Sequence, residues 1–568
     1  MSSYPDAPPQ AYHGNGAAPE YHNEKGFSEE KRPSVIEPSP EYDVINRSGN
    51  ELHRDLKSRH MQMIAIGGAI GAGLFVGIGG AFSSGGPASV LLCFIIIGFA
   101  MYFVMQALAE LGVMYPVNGA FFAYAYRFIS PAWGFAMGWD YAIQWLTILP
   151  FEISAAVLTL EYWKASRNLD HAVWVTVFLV MLIIIQFFGI RGYGETEFVL
   201  SIIKIIACTG FIILGIIINV GGVPTDDRGY IGGRYWQAPH QPFKNGFLGF
   251  CGVFVTAAFA FGGTELTGLA AAEAANPIKS IPMATKQVLW RISFFYILCL
   301  LMVGLNVSSD DKRLLGASNQ NTKFSPFVLA IANANIPFLP GIFNGVITLS
   351  VISVANSCTF GSTRTLQALA ARGMAPKFLA KVDKAGRPIW CIVLQMIFGL
   401  LAYIVDASGD ADSIFFGWLL ALSGIANFFI WGSICISHIR FRKAWYHHGH
   451  TDDELPFKAS GGIYGSYVGV FFNVIFLVAS FYTAVAASVA SGSPYEFFSS
   501  YIAGPIILAL YAFWKIFTKE WYLLTPLSSI DVSYGVRTNL EDLQAAAEEQ
   551  RRARSMKNLP MRIVHTLF

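Results

Sequence analysis

Residues Gly67 to Gly73 read GGAIGAG and fall in the middle of the first apolar segment, where a membrane-spanning helix should be unbroken. Glycine costs a helix about 1 kcal/mol relative to alanine, and here it occupies four of seven positions. Hydrocarbon tolerates freed backbone only where other protein covers it or where it lines a cavity. The stretch therefore predicts a broken helix whose main-chain amides and carbonyls form a binding site at membrane depth.

The rest of the chain fits that setting. Of 568 residues, 54% are hydrophobic and 13% charged, and 46 are phenylalanine; the mean hydropathy is +0.47. Such a composition excludes an ordinary soluble domain and implies an all-α polytopic membrane protein. The formal charge of +2 gives no basis for nucleic-acid binding. Cys93, Cys208, Cys251, Cys299, Cys358, Cys391 and Cys435 lie in or beside apolar segments without a CxxC pair, so they read as small buried hydrophobes. Neither a disulfide framework nor a metal site is expected, and no cofactor. Residues 1–50 are polar and rich in Pro and Ser, which predicts a disordered cytoplasmic tail with no cleavable signal peptide. Residues 51–530 form the membrane domain and 531–568 a second cytoplasmic tail.

A bilayer core of roughly 30 Å needs about 20 helical residues. By that measure the membrane domain holds twelve candidate spans, near 61–83, 88–109, 133–160, 172–190, 198–220, 247–271, 290–307, 338–366, 390–405, 413–438, 467–489 and 500–518. Long loops at 221–246 and 308–337 follow segments five and seven. Within the second, SPFVLAIANANIP (Ser325 to Pro337) is too short to span and predicts a short helix over the site. With the N-terminus inside, the inner loops carry about twice the Lys and Arg of the outer ones, so both termini are expected in the cytoplasm. His438, Arg440, Arg442 and Lys443 end segment ten and read as inner-face anchors.

Segment six repeats the anomaly of segment one, because Phe261-Gly262-Gly263-Thr264-Glu265 interrupts another apolar run. The two segments are five apart. Glycine-interrupted segments at matching positions of two five-helix halves, the second necessarily inverted, point to a transporter with its site at the repeat interface. The alternative is close helix packing, which also uses mid-span glycine.

At these residues the chain resembles the amino acid, polyamine and organocation (APC) transporter superfamily, and within it the fungal amino acid permeases, most closely those of the general type. The resemblance rests on IGGAIGAGLFVG (Ile66 to Gly77), VTAAFAFGGTELTGLAAAE (Val255 to Glu273), NPIKSIPMATKQVLWRI (Asn276 to Ile292), ANSCTFGSTRTLQALAARGMAPKFLAKVDKAGRP (Ala355 to Pro388) and WLLALSGIANFFIWGSICISHIRFRKAW (Trp418 to Trp445). It implies twelve spans with a 5+5 inverted repeat, the LeuT-like arrangement with helices 1 and 6 broken, and alternating access driven by protons at the plasma membrane.

An α-amino acid presents a carboxylate and an ammonium, and broken helices offer free amides to one and free carbonyls to the other. By the resemblance, the amides of Gly71, Ala72 and Gly73 hold the carboxylate, and the carbonyls of Ile70, Phe259, Ala260 and Gly262 hold the ammonium. Relatives often carry Ser or Thr at position 72, where this chain has Ala, so the amides act alone. Phe261 is expected as a gating aromatic, with an ordinary packed Phe as the alternative.

Ionisable side chains inside a membrane cost about 2.5 to 3.5 kcal/mol each and are functional candidates. Lys204, by resemblance, bridges segments one, five and eight where sodium-driven cousins hold a cation; its alternative is snorkelling to the inner face. Glu265 is a candidate for proton coupling, against a structural hydrogen bond to the break. Glu152 faces the cavity if segment three packs as in the family. Ser353, Asn356, Ser423 and Asn427 are small polar groups in apolar helices, and Ser423 is expected as a pocket wall that tunes side-chain selectivity. A short helix from Thr538 is predicted in the last tail. Lys25 and Lys31 in the first are conceivable acceptors for ubiquitin-ligase adaptors.

The expected function is a proton-coupled importer of amino acids of broad specificity, with amino acid, protons and the bilayer as partners. The alternatives are a permease restricted to basic, aromatic or proline-like substrates and a sensor on the same scaffold. No nucleotide loop, metal cluster or catalytic triad can be placed, so no enzyme activity is expected.

Overall fold

In a computed structural model the described residues are 58–273, 277–314, 325–406, 411–533 and 536. The tails, with Lys25, Lys31 and the helix expected from Thr538, lie outside them. The described residues are all-helical. In chain order the helices are α1 (Ser58–Ala69), α2 (Ile78–Met114), α3 (Ala120–Phe128), α4 (Pro131–Leu160), α5 (His171–Phe187), α6 (Gly189–Asn219), α7 (Gly246–Phe261), α8 (Leu266–Ala270), α9 (Pro277–Asn306), α10 (Pro326–Ala332), α11 (Leu339–Ala371), α12 (Ile389–Gly399), α13 (Ala411–His447), α14 (Gly462–Ser491), α15 (Pro494–Tyr501) and α16 (Ala503–Thr518). Each apolar stretch of the sequence carries helix. Seven helical runs are long and apolar enough to cross a membrane, or eight if α15 and α16, bent by 72° against each other, are one span. Three shorter apolar helices, His171–Phe187, Ile292–Asn306 and Ile389–Ile404, accompany them.

Local chemistry starts these helices where they start. Ser130, Ser325 and Ser493 each cap a helix and precede a proline at its first position, and Asp170 caps α5 through the Ala172 amide. A proline there gives up only an amide that would be unpaired anyway.

One long run conceals a reversal. Gly86 sits at φ +82° inside α2, just before Pro87. The Phe94 ring lies 5.7 Å from that of Tyr296, whose hydroxyl bonds the Ala69 carbonyl at 2.9 Å. In a straight helix Phe94 would stand sixteen residues, about 24 Å, beyond Ile78. The chain has therefore folded back at Gly86, which separates the first two predicted segments.

Polar groups turn inward and apolar ones outward. Ile184, Phe187, Ile206, Ile213, Phe471 and Val478 are exposed, whereas Glu110, Asp140, Glu152, Glu197, Lys204, Glu265 and Arg442 are buried. That is the reverse of a soluble protein and suits lipid as the solvent. α4 and α11 pack along their length through glycine: Gly361 against Trp145, and Gly138 against Leu369. α10, expected over the site, is buried; Ser325 at its start bonds the Phe75 carbonyl at 2.5 Å, and Phe327 packs on Phe75.

Two of the expected inner-face anchors do something else. Glu110 on α2 takes His438 at 2.9 Å, Arg442 at 2.5 Å and the Ala459 amide at 2.6 Å, all away from water. His438 and Arg442 are thus partners in a buried charge cluster that ties α2 to α13 and to the turn before α14.

A Cβ at Gly86 would lie 2.5 Å from the Pro242 carbonyl oxygen, in a backbone region that L-residues avoid, whereas Gly80 has open space around it. Gly86→Ala is expected to lower the melting temperature of the purified protein by several degrees and to reduce its surface expression, while Gly80→Ala leaves both unchanged. Equal behaviour of the two variants would refute the folded-back geometry.

Candidate functional site

The two breaks lie against each other. The first runs from the end of α1 at Ala69 to Gly73, where one turn of π-helix, Gly73–Gly77, leads into α2. The second runs from Gly262 to Glu265, between α7 and α8. They meet at glycine. A Cβ on Gly263 would lie 2.6 Å from the Gly68 carbonyl oxygen, and one on Gly73 would lie 2.7 Å from the Ala260 Cα. No larger residue fits either crossing, which is the physical reason for glycine at both.

Other helices supply partners for the freed backbone. The Ala72 amide donates to Glu152 Oε2 on α4 at 3.3 Å. The first break thus holds a carboxylate on one of the amides expected to hold the substrate's. Lys204 Nζ on α6 donates to the Gly67 carbonyl at 2.6 Å. The amine turns inward to α1 and is buried. The Tyr296 hydroxyl on α9 reaches two carbonyls, Ala69 at 2.9 Å and Ala260 at 2.5 Å, one from each broken helix.

In the second break the Gly262 amide bonds the Ala258 and Phe259 carbonyls, and Asn427 Nδ2 on α13 also donates to Ala258 at 3.1 Å. Glu265 folds back over the break. It accepts from the Gly263 amide at 3.2 Å, the Tyr141 hydroxyl at 3.3 Å and Trp431 Nε1 at 3.4 Å. These are the hydrogen bonds of the structural alternative for this residue.

The two aromatics of the second break have distinct settings. Phe261 packs between Phe94 and Tyr296, with ring centroids 5.8 and 4.9 Å away, inside the α2 and α9 contact. The ring that meets α4 beside Glu152 is Phe259, 4.8 Å from Phe151. Phe261, expected as a gate with an ordinary packed Phe as the alternative, makes the ring contacts of that alternative.

Residues outside the sequence reading complete the picture. Glu197 on α6 is fully buried; Ser353 Oγ donates to it at 2.6 Å and Asn356 Nδ2 at 2.7 Å, both from α11. Its carboxylate also rests on Gly67, where a Cβ would come within 2.1 Å of Oε2. The bridge from segment five to segment eight is therefore Glu197, while Lys204 makes the link to segment one. The predicted start of segment five at 198 left Glu197 just outside the membrane; its place seven residues before Lys204, on the same helix face, was the available signal. Gln144 was also missed. It lies two helical turns before Glu152 and donates to the Ser423 carbonyl at 3.2 Å and to Asn427 Oδ1 at 2.7 Å. Ser423 is fully buried. Its hydroxyl and Gln144 Oε1 are buried without a partner among the described residues.

The breaks thus set main-chain amides and carbonyls of two half-helices beside the buried side chains of Glu152, Lys204, Glu265 and Tyr296. Known proteins are similar to this chain in sequence and fold. The sequence profile of the amino acid permease family matches residues 60–526. The cationic amino acid transporter 1 of Schizosaccharomyces pombe is 48% identical over 504 residues, 88% of this chain and 84% of the relative. The general amino-acid permease GAP2 of Candida albicans is 48% identical over 509 residues, 89% of this chain and 86% of its own. Among solved structures, MhsT in complex with L-phenylalanine superposes with a TM-score of 0.53 at 15% identity, over 76% of this chain and 100% of that one, a likeness of fold. With a family match over most of its length and relatives near half identical, this chain belongs to the amino acid permease family of the APC superfamily.

Proposed function

We propose that the chain is a proton-coupled importer of amino acids of broad range, working by alternating access at the plasma membrane with both termini cytoplasmic. The observation that carries this reading is the Ala72 amide with Glu152 on it. A substrate carboxylate aimed at that amide meets a carboxylate already there. Two negative charges within about 4 Å repel strongly where water is scarce. Protonation of Glu152 removes the repulsion, so substrate and proton enter together. The ammonium then takes carbonyls of Ile70, Phe259, Ala260 and Gly262, with Phe259 closing over it.

Twelve spans in a 5+5 inverted repeat fit the pairing of the breaks, five apolar segments apart and crossing at Gly68 with Gly263. Lys204 carries coupling to the inner side, because its bond to Gly67 fixes the inner half of the first broken helix. Glu265, held by three donors, positions the second break. One charge moving down 100 mV releases about 2.3 kcal/mol, enough for roughly a fifty-fold gradient.

Main-chain recognition is indifferent to side chains, which favours breadth. Selectivity then lies with Ser423 and Gln144, whose open hydroxyl and amide oxygen favour side chains that donate hydrogen bonds. A range narrowed to basic substrates is the second reading, favoured by Gln144 Oε1 being an acceptor only.

Uptake of a labelled amino acid panel in permease-deficient cells is expected to concentrate several substrates and to collapse with a protonophore. Binding without flux would replace the carrier by a sensor, and flux indifferent to protonophore would remove proton coupling. Lys204→Met is expected to abolish concentrative uptake. In Glu152→Gln, whose amide oxygen still accepts from Ala72, the rise of KM between pH 5 and 7 expected for the wild type should flatten; an unchanged pH profile would clear Glu152 of proton carriage.

Gly73→Val, which forces the two breaks apart at Ala260, is expected to abolish uptake of every substrate alike, and Ser423→Ala to reorder preferences. Gly67→Ala should lose most uptake, and pairing it with Glu197→Ala, which clears the 2.1 Å overlap, should restore folding measured by thermal stability. No recovery in the double variant would sever the link between these two residues.

A further inference from the structure

Away from the breaks, where α5 passes into α6 and α11 is followed by α12, the helices leave a small recess open to the outside. Gln186, Ile190, Tyr193, Arg364, Arg387 and Ile392 line it. Two guanidinium groups thus face one small space. Arg364 donates through Nε to Glu273 at 2.9 Å and through Nη1 to Thr363 at 3.3 Å. Arg387 donates to Asp383 through Nε at 2.8 Å and Nη2 at 2.6 Å, and through Nη1 to the Phe187 carbonyl at 2.6 Å. A guanidinium has five N–H donors, so both retain donors for a further acceptor, while the Tyr193 hydroxyl beside them is spent on Ser357 at 3.2 Å.

The surroundings of the recess are apolar and exposed. Phe187 and Phe188 flank it at the end of α5, and Ile389, Trp390 and Val393 at the start of α12. Arg387 joins the two sides, being bonded to Phe187 and two residues before Ile389. The same turn, 372–387, carries Arg372, Lys377, Lys381 and Lys384, a basic surface beside an apolar one. A free anion would gain nothing from the aromatic walls, whereas a phosphate carrying acyl chains uses both.

We propose that this recess binds the phosphate of an anionic phospholipid headgroup, with its acyl chains along Phe187, Phe188, Ile389, Trp390 and Val393. Arginine pairs fit phosphate oxygens by geometry as well as charge, and anionic lipid collects at basic surfaces beside a membrane. The site reaches the transport machinery at two points. Arg364 holds Glu273, just beyond α8 at the inner end of the second broken helix. Gln186 donates at 3.2 Å to Asn356, which itself holds Glu197.

The test uses the full chain purified in detergent and measures melting temperature with phosphatidylglycerol, with phosphatidylcholine or with inorganic phosphate added. Phosphatidylglycerol is expected to raise it by about 2 °C or more, and the other two to have no such effect. Arg387→Gln combined with Asp383→Asn removes the cation together with its counter-ion. This double variant is expected to lose at least half of the shift, and Arg313→Gln with Asp311→Asn, an outer-loop pair, to keep it.

An equal shift with phosphatidylcholine, or an undiminished shift in the first double variant, would overturn the site. A shift with inorganic phosphate alone would make it a free-anion site and overturn the lipid. If the variant does not fold, crosslinking the wild type with a diazirine-bearing phosphatidylglycerol decides: labelling at residues 187–188 or 389–393 supports the site, and labelling only elsewhere refutes it. None of these readouts involves transport, so the outcome is independent of the uptake experiments.

Discussion

A main-chain amide or carbonyl left unpaired where there is no water costs several kcal/mol, and this protein opens two helices in that setting. Everything around the breaks answers that cost. Gly67 is covered by Lys204, Ala69 and Ala260 by Tyr296, Ala72 by Glu152, Gly263 by Glu265, and Ala258 by Asn427. Apart from Glu265, which belongs to the second break, these side chains come from α4, α6, α9 and α13, so the breaks collect the fold around themselves. The buried ionisable groups follow from the same constraint. Lys204, Glu152 and Glu265 each sit on a freed peptide group of opposite polarity.

Charge inside the protein is handled by local pairing. Glu110 meets His438 and Arg442, and Glu273 meets Arg364 at 2.9 Å. Glu197 is held by two neutral donors, Ser353 and Asn356, and rests against a glycine. A carboxylate solvated by neutral groups keeps its hydrogen bonds whether or not a nearby cation stays charged. Removing one member of an ion pair in such surroundings leaves an uncompensated buried charge, which is far more disruptive than losing a surface pair.

Much of this was legible in the sequence because helix breaking in lipid is costly enough to leave a mark. Four glycines in Gly67 to Gly73 and the pair Gly262-Gly263 located both breaks, and apolar length located the helices. The rest was hidden because it depends on partners distant along the chain or on burial that no local window records. His438 and Arg442 looked like inner-face anchors because their partner Glu110 lies more than 300 residues earlier. Glu197 looked like a loop residue because a hydropathy window ends at the first charge, although burial had extended the helix past it. Phe261 and Phe259 could not be told apart locally, because a side chain two residues along a helix points about 200° away and nothing in the sequence says which face meets α4.

Tyr296 has one hydroxyl proton and two carbonyl oxygens to satisfy, one on each broken helix. The two half-helices therefore share a single donor. Any movement that draws them apart strips one carbonyl of its partner in surroundings that offer no water in exchange. A tyrosine hydroxyl has only one proton to give, so the closeness of the two half-helices is itself what lets one side chain serve both carbonyls.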